Sequence, residues 1–433
     1  MHTTPTTVPV TGQQSVVRSL ILAVVFFITM ATHYIFKSAV VSVLIKTFSA
    51  YGMPWFDIAD ALLSGILVML LLLLRSRKIN ISSSIRVITV VLSLSLIITS
   101  MIARPDARHQ LPLIIVGLAG NVMVFIATYG IWMLMVSAAF KRSWLTLSIV
   151  GVGAQLGVWA GATISKLLPE AFITSWLPAC VGVLYILIFM LLGFFMKKFS
   201  CAGTTPEILP PDTNLAAPQA NTRVRQLMKG FSPYIKMLLL LILIGSVFGR
   251  SVNWLIQQQA DYKSTIKEAT GFLATFYQSS ALISLAFQLL ITPVALRILP
   301  NRWGLIIQPL FAMIIMVLML LKIDTYIYVT LLMVFTSLDF TMYNAFKERL
   351  WLPVPLINKV YHKAVAALFI PKIAGVINGL SVLILATGSM QQWKIFVMIQ
   401  AALWILIVWQ VSVKNRKQEQ YTISDVRPSL DAV

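Results

Sequence analysis

A few charged and polar residues lie inside long apolar segments, and their side chains are the best placed in this sequence to do chemistry. Arg250 is the clearest example, and Asn253, Gln257 and Gln258 follow it as a polar stripe. A guanidinium fork matches carboxylate and phosphate groups, so the stripe predicts a contact for an anionic solute, with the amides reading hydroxyl groups or a base edge. The alternative is a structural ion pair with Asp261 or with a neighbouring helix.

Lys372 and Lys37 are two further candidates for binding a substrate charge. Lys372 follows Pro371, which removes a helical hydrogen bond and predicts a broken helix whose free carbonyls line a site. The alternative is a plain kink, with the lysine reaching the cytoplasmic face. Lys37 stands at the predicted outer end of the first helix.

The acidic residues predict coupling or gating. Asp57 is a candidate helix cap, and Asp60, one turn deeper, is a candidate site for a proton or a cation. Asp339 lies well inside a later apolar segment, and Lys347 and Glu348 form a charge cluster where that segment leaves the membrane. The alternative for this cluster is a network of interfacial salt bridges that locks the gate region.

Motifs of catalysis, metal binding and cofactor binding are missing from the sequence. It contains no HExxH, P-loop, GxSxG or paired CxxC element, and its four histidines are scattered. We therefore expect neither an enzyme nor a cofactor nor a metal site. Gly153, Gly157 and Gly161 share one helix face, which predicts close packing against another helix in the membrane.

Composition sets the fold class. The 433 residues are 58% hydrophobic and only 11% charged, whereas about 25% is usual for soluble domains. This composition excludes an ordinary soluble enzyme and a disordered chain, and it predicts an all-α polytopic membrane protein in contact with lipid. We predict twelve helices: Val16–Phe36, Asp57–Leu74, Val87–Ile102, Leu111–Ala139, Trp144–Leu167, Phe172–Met196, Ile235–Leu255, Gly271–Ile298, Trp303–Leu321, Tyr326–Phe346, Ala364–Gly388 and Trp393–Val413.

The basic residues predict the orientation. With both termini on one face, that face carries 23 of the 34 Lys and Arg residues and the other face carries 9. Cytoplasmic loops are enriched in Lys and Arg, so we expect both termini in the cytoplasm and no nucleic-acid partner for the formal charge of +20.

One long connection divides the chain. Residues 197–234 are polar, basic and rich in proline, which predicts a cytoplasmic linker between a six-helix half at 16–196 and a second at 235–413. Short tails at 1–15 and 414–433 complete the predicted organisation.

Several segments resemble one transporter family. Phe346–Pro355 and Lys363–Ala367 are similar to the signature of helices 10 and 11 in the bacterial and plastid ATP/ADP translocases, with a Lys-Glu pair, an aromatic residue, a proline and then Lys-x-x-Ala-Ala. Gly151–Gly161, Gly249–Asp261 and Gly271–Tyr277 extend the resemblance over both halves. It implies a major-facilitator-type fold and nucleotide exchange. Charged positions of the family are not kept, which indicates a divergent member.

Three functional hypotheses follow. The first is a secondary transporter of a bacterial inner membrane that moves a nucleotide or a related anionic metabolite by alternating access. The second is a proton-coupled transporter of a non-nucleotide small molecule, in which Asp60 and Asp339 carry the function and Arg250 is structural. The third is a non-transporting membrane scaffold that uses the 197–234 linker for docking.

Overall fold

Helices make up every secondary-structure element that the structure describes. The computed structural model describes residues 12–76, 81–102, 113–123, 126–127, 144–200, 232–351, 354, 362–363, 366 and 369–426. In chain order the helices are α1 Gly12–Ser76, α2 Ile81–Ile102, α3 Leu113–Met123, α4 Trp144–Leu167, α5 Glu170–Ser175, α6 Leu177–Ser200, α7 Pro233–Asp261, α8 Ile266–Ile298, α9 Asn301–Leu320, α10 Thr325–Arg349, α11 Ile370–Ala386 and α12 Met390–Val426.

Seven helices in the described part of the chain are long and apolar enough to cross a membrane. Three more, including α3 and α11, are apolar but shorter. The predicted all-α membrane fold is confirmed, whereas the count of twelve spans stays a prediction. Most of the predicted linker (residues 201–231), the N-terminal residues 1–11 and the C-terminal residues 427–433 lie outside the described residues.

The first two predicted helices form one bent element. Helix α1 runs from Gly12 to Ser76, and Ser49 is its only residue with non-helical backbone angles (φ 59°, ψ 167°). Ser49 separates a first arm (residues 12–48) from a second arm (residues 50–76). The predicted loop between Phe36 and Asp57 is therefore wrong. The sequence suggested an end at Lys37, but that lysine lies inside the first arm, where aromatic rings surround its ammonium group.

Close packing between α1 and α4 fixes one side of the bundle. A methyl group added to Gly153, Gly157 or Gly161 would overlap a backbone carbonyl of the first arm. Those carbonyls belong to Ala23, Phe27 and Ala31, so residue numbers rise together along both helices and the helices are parallel. The predicted packing role of the three glycines is confirmed.

The described end of the chain differs from the predicted tail. Helix α12 continues to Val426, so the first part of the predicted C-terminal tail is helical. Helix α11 begins at Ile370 with Pro371 in its first turn. A proline in a first turn removes no hydrogen bond from its own helix, so Pro371 does not kink α11.

Candidate functional site

Two ion pairs join the predicted halves deep inside the bundle. Arg250 of α7 donates from Nη1 to Oδ1 of Asp57 over 3.1 Å. Lys372 of α11 donates from Nζ to Oδ2 of Asp60 over 2.7 Å. Asp57 and Asp60 lie one turn apart on the second arm of α1. One helix of the first predicted half therefore pairs with both of these cations, which belong to the second predicted half.

Small residues let these helices approach each other. A methyl group added to Gly379 of α11 would lie 3.0 Å from the carbonyl oxygen of Pro54 on the second arm. Gly375, one turn earlier, lies beside the guanidinium of Arg250, with 4.0 Å between the added carbon and Cζ. Ser251 of α7 donates to Oδ1 of Asn378 over 2.7 Å, which fixes α7 against α11.

Lys37 contacts two aromatic rings and interacts electrostatically with one of the two ion pairs. Its Nζ is 4.6 Å from the ring centroid of Tyr277 on α8 and 5.3 Å from that of Tyr34 on its own helix. Cation–π contacts of this kind stabilise an ammonium group by about 0.5–2 kcal/mol, depending on how far it is desolvated. Lys37 also interacts electrostatically with Arg250 and Asp57. We call Lys37, Asp57, Asp60, Arg250 and Lys372 the central charge cluster.

Polar contacts also close one end of the bundle between the predicted halves. At this Ser49 end, the corner of α1 at Ser49 meets the end of α7. Asp261 of α7 accepts the backbone N–H of Ala50 through Oδ2 over 2.8 Å, and its Oδ1 lies 3.8 Å from Nζ of Lys46. Trp254 donates from its indole to the carbonyl of Ala50 over 3.0 Å. Asp261 therefore caps the start of the second arm from the opposite half.

The start of α8 adds further contacts at the Ser49 end. Lys267 donates to the carbonyl of Lys166 over 3.0 Å and also to that of Leu168, at the carboxyl end of α4. A lysine at this position satisfies carbonyls that have no partner within the helix. The hydroxyls of Ser42 and Thr270 lie 2.5 Å apart between α1 and α8.

The residues of the predicted polar stripe on α7 differ in their contacts and burial. Gln258 donates to the hydroxyl of Tyr51 over 3.4 Å and so belongs to the Ser49 end. Gln257 is buried, whereas Asn253 is partly exposed. Arg250 pairs with a neighbouring helix rather than with Asp261, which is one of the two alternatives that the sequence left open.

The second predicted acidic group lies away from the central charge cluster. Asp339 starts a π-helical turn that ends at Tyr343, and Nζ of Lys347 lies 5.5 Å from the Tyr343 ring. Glu348 forms an ion pair with Lys363. These contacts fit the interfacial network that the sequence offered as the alternative to a gating role.

Sequence reasoning missed the partners rather than the charges. Asp57 was predicted to be a cap, although it is the partner of Arg250, and Lys46 and Asp261 were not predicted as a pair. The available signal for pairing was the presence of two basic and two acidic residues in segments with very little charge. Charged residues at membrane depth are rarely unpaired. The sequence does not say which charges pair.

No protein-family model and no curated protein matches this chain. Solved transporter structures do match it in fold. A bacterial homologue of the human lysosomal transporter Spinster, inward-facing and unoccupied, is 12% identical with a TM-score of 0.58, over 94% of this chain and 99% of that one. A D-xylose–proton symporter is 11% identical with a TM-score of 0.60, over 93% and 98%. A bacterial homologue of the iron transporter ferroportin, also inward-facing, is 13% identical with a TM-score of 0.61, over 91% and 98%.

These likenesses extend over nearly the whole of each chain, so the fold is of the major-facilitator type. Because the identities are only 11–13%, the likenesses establish the fold alone and leave substrate and family open.

Proposed function

We propose that this protein is a secondary transporter that moves a small, non-nucleotide solute across its membrane by alternating access. The observation that carries the proposal is the pairing of four charges across the interface between the predicted halves. Each charged side chain costs about 2.5–3.5 kcal/mol or more at membrane depth. A static scaffold gains little from such pairs, because well-packed apolar residues stabilise a buried contact at least as well.

The Ser49 end is closed in this structure, and a transporter must open it. The contacts of Asp261, Lys46 and Lys267 all join one predicted half to the other. The distribution of basic residues predicts that this end faces away from the cytoplasm. Closure there fits the inward-facing state named for two of the similar structures. We expect the two halves to separate at the Ser49 end when the site opens to the other side.

The charge of the central cluster favours a small solute over a nucleotide. Three cations and two carboxylates give the cluster a net charge of +1, because Asp57 and Asp60 already neutralise two of the cations. Nucleoside di- and triphosphates carry about three or four negative charges, and their recognition depends on several unpaired Lys or Arg groups. The ATP/ADP translocase resemblance therefore stays a prediction about ancestry, and we do not extend it to the substrate.

Asp60 is the proposed coupling residue. The residue is 3% exposed, and its carboxylate holds Lys372 across the interface. Protonation would remove the charge that attracts Lys372, so the link between the second arm of α1 and α11 would be weakened. A proton bound at Asp60 would then be linked to the separation of the halves.

Purified protein in liposomes tests this function. Small amino acids, sugars, dipeptides and carboxylates are added outside, and a trapped pH dye reports proton movement. We expect at least one of these solutes to drive proton movement across the liposome membrane. We expect no exchange of ATP for ADP. Asp60→Asn should remove proton movement while exchange of labelled for unlabelled solute continues.

Asp324→Asn is the matched control, because Asp324 caps α10 through the backbone N–H of Tyr326 and asparagine caps equally well. Exchange of ATP for ADP would contradict the choice of a small solute. A protein that binds and moves none of the solutes would favour the scaffold hypothesis.

A further inference from the structure

The two ion pairs of the central charge cluster differ in access to solvent. The side chains of Arg250 and Asp57 keep 29% and 19% of their surface exposed, whereas those of Lys372 and Asp60 keep 12% and 4%. Charged groups inside a helical bundle face either a partner or a water-filled cavity. The Arg250–Asp57 pair therefore has both a partner and exposed surface, whereas the Lys372–Asp60 pair is nearly closed off.

The Arg250–Asp57 contact also leaves binding capacity unused. A guanidinium carries five N–H donors, and a carboxylate can accept two of them side by side. Within the described part of the chain, Arg250 makes a single hydrogen bond of 3.1 Å to one oxygen of Asp57. None of the other residues that the structure describes takes a hydrogen bond from the remaining donors, so a second carboxylate can approach Arg250 before Asp57 leaves.

Lys37 supplies the positive charge that makes such an exchange favourable. It interacts electrostatically with Arg250 and Asp57, and among the described residues it forms no ion pair. Lys37 and Arg250 thus share one carboxylate, and the exposed part of the cluster has a net charge of +1. A ligand with one negative charge brings it to zero. A dianion leaves an uncompensated charge, which is costly where water is scarce.

We propose that the Arg250–Asp57 pair is an exchange site for the carboxylate of a small organic monoanion, which displaces Asp57 from Arg250 while the Lys372–Asp60 pair stays closed. The substrate class is therefore a monocarboxylate, with Lys37 as the second cationic contact. This inference rests on the proposed transport function and adds the chemistry of the solute. Displacement of Asp57 also breaks one of the two central links between the halves, so binding itself starts the opening.

Thermal unfolding of the full-length protein in detergent tests the exchange site. The probes are acetate, lactate, pyruvate and benzoate, each paired with its neutral amide, and succinate as a dianion. A ligand that binds the folded state raises the melting temperature. We expect at least one monocarboxylate to raise the melting temperature. Its neutral amide and succinate should each raise it less.

Variants assign the effect to particular residues. Asp57→Asn removes the competing carboxylate, so the apparent Kd of the active monocarboxylate should fall by about tenfold. Arg250→Gln should abolish the response, and the neutral pair Arg250→Gln with Asp57→Asn gives a second test in which both partners of the ion pair are removed together. Glu170→Gln, on the short helix α5, is the surface control and should keep the wild-type Kd.

Three results would overturn the exchange site. They are an unchanged or weaker affinity in Asp57→Asn, a full response in the neutral double variant, and an equal tightening of binding in Asp60→Asn. A protein that moves a neutral or cationic solute and responds to no monocarboxylate would also reject the exchange site, yet it would leave the proposed transport function standing.

Discussion

At the scale of single residues, the Asp60–Lys372 pair is the most deeply buried ion pair among the described residues. Removal of one partner from this pair should cost much stability, because a buried charge without a partner is far less stable than a neutral group. The pair differs in this respect from Arg250–Asp57, whose side chains are 29% and 19% exposed. The two pairs should therefore respond differently to the loss of one partner.

Removal of one partner of the buried pair should destabilise the protein strongly. Lys372→Met leaves the carboxylate of Asp60 buried and unpaired, so we expect a loss of about 3–5 kcal/mol in the free energy of unfolding. Replacement of both partners, Asp60→Leu with Lys372→Met, should restore most of that stability. Thermal and denaturant unfolding in detergent measure the effect. A double variant that loses as much stability as the two single variants added together would contradict this expectation.

At the scale of the elements, sequence patterns predicted which segments are helical but misplaced some of their ends. The apolar runs and the glycine face of α4 are local features, and the structure confirms both. The continuation of α1 through Lys37 was missed. A charged residue in an apolar segment predicts the end of a membrane helix unless its aromatic neighbours are known. Those neighbours include Tyr277, which comes from a helix far along the chain.

The glycine face of α4 gives the element-scale prediction. Gly157→Leu places a side chain against the carbonyl of Phe27 in the first arm of α1. We expect it to separate α1 from α4 and to lower the free energy of unfolding by about 1–3 kcal/mol. Gly193→Leu on α6 is the matched control, because an added carbon there meets nothing within 4 Å. Melting temperatures followed by tryptophan fluorescence compare the two, and equal losses would contradict the packing role.

At the scale of the whole molecule, contacts at two depths hold the predicted halves together. The central charge cluster joins them inside the bundle, and Lys46, Asp261 and Lys267 join them at the Ser49 end. Opening of the Ser49 end must break all of the contacts at that end. A covalent link there should therefore stop the proposed transport cycle without disturbing the fold.

Ser42 and Thr270 are suitable positions for that link, because their hydroxyl oxygens lie 2.5 Å apart between α1 and α8. We expect Ser42→Cys with Thr270→Cys, with Cys180 and Cys201 replaced by serine, to form a disulfide on mild oxidation. Uptake of the active solute into liposomes should then fall to the level of protein-free liposomes, and dithiothreitol should restore it. Each single variant should be insensitive to oxidation. Full uptake by the cross-linked protein would rule out alternating opening at this end.

The sequence by itself determined the membrane class, the approximate helices, the packing face of α4 and the short set of charges that any mechanism must use. These properties follow from hydrophobicity and helical periodicity, which act over a few turns of the chain. Only the tertiary structure decided how the charges combine. The partners Asp57 and Arg250 are 193 residues apart, and Asp60 and Lys372 are 312 apart.

That difference has a physical cause. The energy of an ion pair depends on which helices pack together and on how much water reaches the charges, and neither quantity is local in the sequence. From the sequence, Arg250 and Lys372 were candidates for binding the negative charge of a substrate, with a structural ion pair as the alternative for Arg250 and a plain kink as the alternative for Lys372. Packing of α1 against α7 and α11 pairs both cations with carboxylates, which leaves a net charge of +1 in the central cluster.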